Sequence, residues 1–213
     1  MKILIVRPWP SVLDVTKNTY NIQEVGLAKA LVKRGHPTDI LFWTDGDEMT
    51  VKVEVEGAKP INVFYRHGKV LLKNVWFGGQ EKLFAQYDVL QTAEYNQMFS
   101  WHLAGKYPEK TVVYHGPYYS PFNKNYNRMC RVFDALFVGR YRRCGTRFLT
   151  KSELARKFLL EKRLSPEQVT TVGVGIDAEL LRDRPDAGQT ELEQKMRAQK
   201  TGLKLLYIGR IEP

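Results

Sequence analysis

The feature that most restricts the fold of this chain is a regular alternation of short apolar segments with longer amphipathic ones. Apolar runs of three to five residues recur at 2–6, 39–43, 89–91, 111–114, 146–149 and 169–172. Runs of this length fit strands buried on both faces of a sheet. Between them, apolar residues recur at helical spacing in segments 19–34, 96–105, 124–138 and 151–163. The alternation predicts an α/β fold, with a Rossmann-like, doubly wound and mainly parallel sheet.

Local signals refine these boundaries. Gly35 follows the first helical segment and predicts its C-terminal stop. Thr150 and Glu153 have the spacing of a capping box, so we expect a helix to begin there. Residues 51–76 alternate weakly and predict extra strands or a hairpin.

The composition changes after Asp177, which predicts a domain boundary. We expect residues 1–182 to form one domain and the polar stretch 183–202 to be a linker with a solvated helix. The apolar run 203–208 then predicts one more buried strand. Because a single strand cannot form a domain, we interpret 203–213 as the first strand of a second, truncated domain.

Positive charge is concentrated in one part of the chain. The net charge is +10, and residues 124–163 hold twelve Lys or Arg against three Asp or Glu, a net charge of +9. Nucleic acid, an anionic membrane surface or a phosphorylated ligand would each suit such a segment. A solvated face with no partner remains an alternative.

Within that segment, helix 151–163 predicts a buried apolar stripe and an outward cationic face. The stripe consists of Leu154, Ala155, Phe158 and Leu159, and the cations are Lys151, Arg156, Lys157, Lys162 and Arg163. We therefore expect peripheral association with an anionic membrane. With no recognisable signal peptide and two cysteines expected to be free thiols, the predicted location is cytoplasmic, on the inner face of the cell membrane.

Polar side chains follow several predicted strands, where doubly wound sheets bind their ligands. His115 ends one strand and can give and take a proton near neutral pH, so it is the candidate catalytic residue. Further candidate ligand-binding residues are Glu94, Asn96, Tyr118, Tyr119, Lys17 and Tyr20. A structural role remains open for His115, and ordinary helix capping remains open for the loop 17–21.

Several common motifs are missing from the sequence. No glycine fingerprint for dinucleotides and no phosphate loop occurs. Asp45 and Asp47 flank a glycine after a strand and have the chemistry of a metal site, but an acidic turn explains them better. We expect no metal and no cofactor.

Four segments in order resemble retaining glycosyltransferases of family four, of GT-B architecture. The first is Met1 to Val6 with Leu27 to His36, and the second is Val112 to Gly116. The third is Thr150 to Ser152 followed by Val172 to Asp177, and the fourth is Tyr207 to Pro213. The resemblance implies that this chain is the N-terminal, acceptor-side half of a GT-B fold.

The resemblance also implies roles for residues. His115 matches a histidine lining the cleft near the donor sugar, and Arg210 an arginine contacting the donor diphosphate. Asn18 and Thr19 stand where the family often has two glycines facing the donor, a departure that weakens their match. The implied donor is a nucleotide sugar, used as a substrate.

The function that follows is transfer of a sugar to a lipid-linked or saccharide acceptor, in surface polysaccharide or glycolipid biosynthesis. The fragment alone is expected to be inactive. The alternatives are a sugar-nucleotide epimerase of the same fold, or a non-catalytic basic binding module. Nucleic acid is the partner the sequence favours least.

Overall fold

The computed structural model of the protein describes residues 1–17, 22–71, 73–177 and 191–199. Ten strands lie in this part of the chain: β1 (Ile3–Val6), β2 (Thr38–Trp43), β3 (Met49–Val53), β4 (Ile61–Arg66), β5 (Lys69–Leu71), β6 (Asn74–Trp76), β7 (Val89–Ala93), β8 (Thr111–His115), β9 (Arg147–Thr150) and β10 (Val169–Thr171). The helices are α1 (Gln23–Lys33), α2 (Glu81–Phe84), α3 (Met98–Lys106), α4 (Lys124–Leu136), α5 (Val138–Arg143), α6 (Glu153–Glu161) and α7 (Glu191–Ala198), with a 3-10 turn at Pro166–Gln168.

Eight of these strands form one sheet in the order β10-β9-β8-β7-β1-β2-β4-β3. All neighbouring pairs are parallel except β3 with β4, which pair antiparallel at one edge. β5 and β6 form a separate hairpin. The predicted α/β, Rossmann-like, mainly parallel sheet is confirmed. The predicted hairpin in 51–76 is also found, and β4 additionally joins the main sheet beside β2.

Alternate residues of the central strands are buried on opposite faces of this sheet. Ile5, with Ile40 and Phe42, packs in the cluster that contains Ala28 of α1. Leu4, the neighbour of Ile5, packs with α3 on the other face. Burial on both faces explains why these strands are continuously apolar.

The second face continues under α4, α5 and α6, where one aromatic cluster fills the space between helices and sheet. Phe148 of β9 is fully buried there, and Tyr141 of α5 donates a hydrogen bond to the carbonyl of Tyr95 at 2.7 Å. The Tyr141 hydroxyl therefore fixes α5 against the turn that follows β7.

A buried carboxylate ties two strands of the sheet to the turn before β7. Asp39 of β2 accepts hydrogen bonds from the backbone and side-chain nitrogens of Asn62 in β4, at 2.8 and 2.9 Å. Its second oxygen accepts from the Tyr87 hydroxyl at 2.6 Å. Burial is the main cause that raises the pKa of Tyr87 above its ordinary value, and the Asp39 carboxylate adds to the effect. The Tyr87 hydroxyl therefore keeps its proton and remains a donor.

Several predicted helix ends are wrong. Helix α1 begins at Gln23, with Ile22 as its N-cap. The segment 124–138 is divided at Phe137 into α4 and α5. The capping box at Thr150 is also wrong, because Thr150 ends β9 and its hydroxyl bonds to that of Thr171 at 3.2 Å.

Ser152 is the residue that caps α6, and its hydroxyl accepts from the backbone nitrogen of Ala155 at 3.1 Å. The predicted stop at Gly35 is consistent with the structure, since Gly35 has φ of +81° just after α1 and glycine adopts that conformation without strain.

The chain divides into two units, Met1–Ile176 and Asp177–Pro213. In the second, α7 is the described element, and Glu191 pairs with Lys195 at 2.6 Å along it. The predicted strand 203–208 lies outside the described residues. None of the described helices is long and apolar enough to span a bilayer.

The Tyr87–Asp39 bond generates a test of the fold. We expect Tyr87→Phe to lower the free energy of unfolding by about 1.5–3 kcal/mol, the usual range for a hydrogen bond to a charged group. Urea unfolding at neutral pH measures it. Tyr118→Phe, at a residue that is 43% exposed, is the matched control and should change stability by less than about 0.5 kcal/mol. Equal effects of the two substitutions would contradict the role given to Asp39.

Candidate active site

Polar residues from several strands meet at the carboxyl edge of the sheet. Arg7 follows β1, Glu94 follows β7, His115 ends β8 and Lys151 follows β9. Because β1, β7, β8 and β9 are parallel, their carboxyl ends lie along one edge. The sequence predicted this placement for His115 and Glu94.

Glu94 is the centre of this group. Its Oε2 accepts a hydrogen bond from His115 Nδ1 at 2.6 Å and another from the backbone nitrogen of Gly116 at 3.2 Å. Its Oε1 lies 3.5 Å from the ammonium of Lys151. The Glu94 side chain is only 8% exposed, and a buried carboxylate is stabilised when every oxygen has such a partner.

The backbone at Glu94 is held in an uncommon conformation. Its φ is +59°, in the left-handed region that non-glycine residues seldom adopt. The backbone nitrogen of Glu94 donates to the carbonyl of Tyr114 at 3.0 Å. Left-handed residues of this kind cluster at functional sites, where the surrounding contacts maintain them.

Lys151 lies across the turn that follows β8. Its backbone nitrogen donates to the carbonyl of His115 at 2.9 Å. A Cβ atom at Gly116 would come within 2.6 Å of Lys151 Cδ. A glycine at 116 therefore leaves the space through which the lysine reaches Glu94.

His115 is completely buried, which the sequence did not predict. Its ring stacks on Phe158 of α6, with centroids 5.4 Å apart, and meets Tyr95 edge-on at 5.1 Å. His115 Nε2 has no hydrogen-bond partner in the described part of the chain. Nδ1 carries a proton, since the carboxylate opposite can only accept. The contact with Glu94 connects the buried His115 ring to the carboxyl edge of the sheet.

Tyr114 extends the group onto the opposite face of the sheet. Its hydroxyl donates to the carbonyl of Gly173, after β10, at 2.8 Å, and the Lys151 ammonium lies 4.9 Å from its ring centroid. Burial is the main cause that raises the pKa of Tyr114, and the carboxylates of Glu94 and Glu24 add to it. Glu24, in the first turn of α1, pairs with Arg7 at 3.0 Å.

The other predicted site residues are more dispersed. Lys17 is exposed and pairs with Asp14 at 3.4 Å in a turn, six residues before α1. Asn96 lies beside Cys130, with Nδ2 at 4.0 Å from Sγ. Tyr118 is 43% exposed in the loop after β8. Asn18, Thr19, Tyr20 and Arg210 lie outside the described residues.

Tyr119 belongs to a buried ionic group behind the edge. Its hydroxyl accepts from Lys162 at 3.1 Å, and Lys162 also pairs with Asp134 of α4 at 2.5 Å. The Lys162 ammonium lies 3.9 Å from the ring centroid of Phe158. The prediction that Lys162 faces outward is wrong, because it follows the end of α6 and turns toward Asp134.

The predicted apolar stripe of α6 is partly correct. Ala155, Phe158 and Leu159 are buried, whereas Leu154 is 52% exposed and does not contribute to the core. The cysteines at 130 and 144 are free, as predicted.

Asp45 and Asp47 lie in an exposed bend after β2. Between them, the backbone nitrogen of Gly46 donates to the Thr44 hydroxyl at 3.1 Å. The carbonyl oxygen of Gly46 lies 2.6 Å from His67 Nε2. These contacts are typical of a turn. Among the described residues, no cluster of side chains has the composition of a metal site.

Sequence reasoning missed the roles of Lys151, Tyr114, Arg7 and Glu24 at this edge. Lys151 was predicted only as an outward charge. The available signal was positional, since Arg7 and Lys151 each come directly after a buried strand, as His115 ends one. The interaction of both Lys151 and His115 with one carboxylate had no sequence signature.

The His115–Glu94 contact can be tested directly by ¹⁵N NMR of the histidine rings. We expect a proton bonded to His115 Nδ1, because Glu94 accepts it, with the resonance moved by Glu94→Gln. The ring of His102 stacks on Phe99 and meets Trp76 at a tilt. It serves as the internal control and should not respond. A spectrum showing the proton only on Nε2 would contradict the geometry.

Comparison with known proteins gives one family. The sequence model of Glycosyltransferase Family 4 matches residues 25–180. A search of curated protein sequences gives no match. The matched range contains Glu94, His115 and Lys151. It also contains seven of the eight strands of the sheet in full, all except β1. The chain therefore belongs to glycosyltransferase family 4, the retaining GT-B enzymes that use a nucleotide-sugar donor.

Proposed function

We propose that this protein transfers a sugar from a nucleotide-sugar donor to a hydroxyl of a lipid-linked or saccharide acceptor. The reaction would serve surface polysaccharide or glycolipid biosynthesis. The observation that supports a reaction site in this part of the chain is the group formed by Glu94, His115 and Lys151. It lies at the carboxyl edge of the sheet, within the range matched by the family.

The chemistry requires stabilisation of an anionic leaving group. In the proposed reaction the acceptor oxygen forms a bond to the anomeric carbon, and the bond from that carbon to the diphosphate breaks. The hydroxyl proton passes to the departing diphosphate. Preorganised cations and N–H dipoles lower the barrier of such a step. Lys151, 27% exposed, supplies a cation at this edge. Asn18, Thr19 and Arg210 are the other proposed donor contacts.

We infer that His115 contributes by holding Glu94, and thereby Lys151, in place. The imidazole donates to Glu94 at 2.6 Å and has no exposed surface. Glu94 in turn lies 3.5 Å from the lysine ammonium, which is the partly exposed member of the group. A change at His115 would reach the substrate through these two contacts.

The acceptor is proposed to bind beside the same edge. Tyr118 offers an exposed ring for stacking on a sugar. The remaining proposed acceptor contacts are Lys17, Tyr20, Glu94, Asn96 and Tyr119. An amphipathic acceptor would be met at the inner face of the cell membrane, where we propose that the protein attaches peripherally.

The proposal is tested by substitution of His115. His115→Ala would empty a buried space between Tyr95 and Phe158 and cost stability, so His115→Gln is the better variant. We expect it to lower kcat/KM by about tenfold or more, which corresponds to about 1.4 kcal/mol of barrier. The assay uses the full-length protein and follows transfer of labelled sugar from a panel of nucleotide sugars to glycolipid and glycan acceptors.

The matched control is His102→Gln in α3. The half-buried His102 contacts Trp76 and Phe99 and should affect activity only through stability. Wild-type transfer by a folded His115→Gln protein would return His115 to a purely structural role.

A further inference from the structure

Helix α4 exposes a continuous row of apolar side chains. The residues at 129, 132 and 136 recur at spacings of three and four, which places them on one side of a helix, and Phe122 precedes its first turn. Their exposed fractions are 96% for Phe122, 60% for Met129, 55% for Val132 and 68% for Leu136. A fully exposed phenylalanine followed by such a row is uncommon on the surface of a globular domain.

This row is not part of the core of the domain. The side of α4 that packs on the sheet carries Cys130 and Phe133, which are 0% and 7% exposed. The helix is therefore apolar both toward the core and toward solvent. A helix that only covers a sheet has a polar outer side, so the outer row of α4 requires a separate explanation.

Cations lie beside the apolar row. Lys124, Arg128 and Arg131 are exposed and recur at spacings of three and four along the same helix. The acid of α4, Asp134, is directed away from them and pairs with the buried Lys162. Residues 122–143 contain six Lys or Arg and one Asp or Glu, a net charge of +5.

We propose that α4 is the surface by which the protein binds an anionic lipid bilayer. Phe122, Met129 and Leu136 enter the boundary between headgroups and acyl chains, and the arginines contact headgroup phosphates. An amphipathic helix with a basic border has the composition of an interfacial helix, and each Lys or Arg near an anionic leaflet adds attraction. The inference rests on exposure and charge, and it holds whether or not the proposed sugar transfer is correct.

A lipid surface fits this side of α4 better than a protein partner. The centre of a protein–protein interface is depleted of charged residues. On α4, by contrast, positively charged side chains lie beside the whole apolar row. An anionic leaflet accommodates both parts together, because its phosphates lie directly above its acyl chains.

Helix α6, which the sequence indicated as the membrane-facing helix, lacks these properties. Its charged residues are Glu153, Arg156, Lys157 and Glu161, which sum to zero. Lys162, after its end, is buried. Leu154 is its exposed large apolar residue. We therefore assign the lipid-binding surface to α4 and not to α6.

The helix α6 supplies a matched control for the experiment. One double variant removes an exposed leucine and a cation from α4, Leu136→Ser with Arg128→Gln. The other removes the same residue types from α6, Leu154→Ser with Lys157→Gln. Both lower the net charge by the same amount. The measurement is co-sedimentation with neutral phosphatidylcholine vesicles and with vesicles enriched in anionic phosphatidylglycerol, at low and high salt, with circular dichroism to verify folding.

We expect the wild-type chain to bind anionic vesicles more strongly than neutral ones, and less at high salt. The α4 variant should bind about tenfold more weakly or worse, from the loss of one cation and one inserted apolar side chain. The α6 variant should bind within about twofold of wild type, since neither residue touches the bilayer.

Three results would overturn the proposal: no vesicle binding at low salt, equal binding to neutral vesicles, or equal loss in both variants. Light scattering tests the other occupant of this surface, a second copy of the chain. A dimer that the α4 variant disrupts would assign the row to self-association instead. Loss of lipid binding with retained transfer to a water-soluble acceptor would leave the proposed sugar transfer unaffected.

Discussion

The carboxylate of Glu94 joins the ends of three neighbouring strands, and the proposed site depends on it. From the turn after β7 it contacts His115 at the end of β8 and Lys151 after β9. A buried carboxylate would be costly without such partners. The left-handed backbone at Glu94 is the conformation in which its oxygens reach both residues. The parallel sheet provides this arrangement, since it brings three successive carboxyl ends together.

The fold was largely predictable from sequence, because strands buried on both faces must be apolar throughout. Short apolar segments indicated β1, β2, β7, β8, β9 and β10, although Arg147 of β9 and Thr170 of β10 are polar and exposed. Helix ends were less predictable, since they depend on individual side-chain contacts. Thr150 has the sequence context of a cap, yet it extends β9 and leaves the capping to Ser152. Its hydroxyl is engaged by Thr171 from the next strand, a contact that no local pattern reveals.

The location of the site could be predicted from the sequence, but the contacts between its residues could not. Position at the end of a strand identified His115 and Glu94. Their mutual contact, and the burial of His115 under Phe158, depend on residues far away in sequence. Lys162 illustrates the same limit, because its enclosure by Asp134 and aromatic rings required the packing of α4 against α6.

The distribution of charge also became interpretable only with the structure. The basic segment 124–163 includes cations of different kinds: Lys162 is buried, Lys151 belongs to the site, and Arg140 stacks on Trp101 at 3.4 Å. The cations beside a row of exposed apolar residues are those of α4. The net charge of the segment does not distinguish these kinds of cation. The burial and contacts of each residue do.

The central claim is that His115 and Lys151 act together through Glu94. A double-mutant cycle on kcat/KM of the full-length protein, with His115→Gln, Lys151→Gln and the double variant, tests it most directly. If Glu94 links the two residues, the effects are non-additive, with a coupling energy of about 0.5–3 kcal/mol. Effects that add to within about 0.3–0.5 kcal/mol, the usual result for independent sites, would contradict the account.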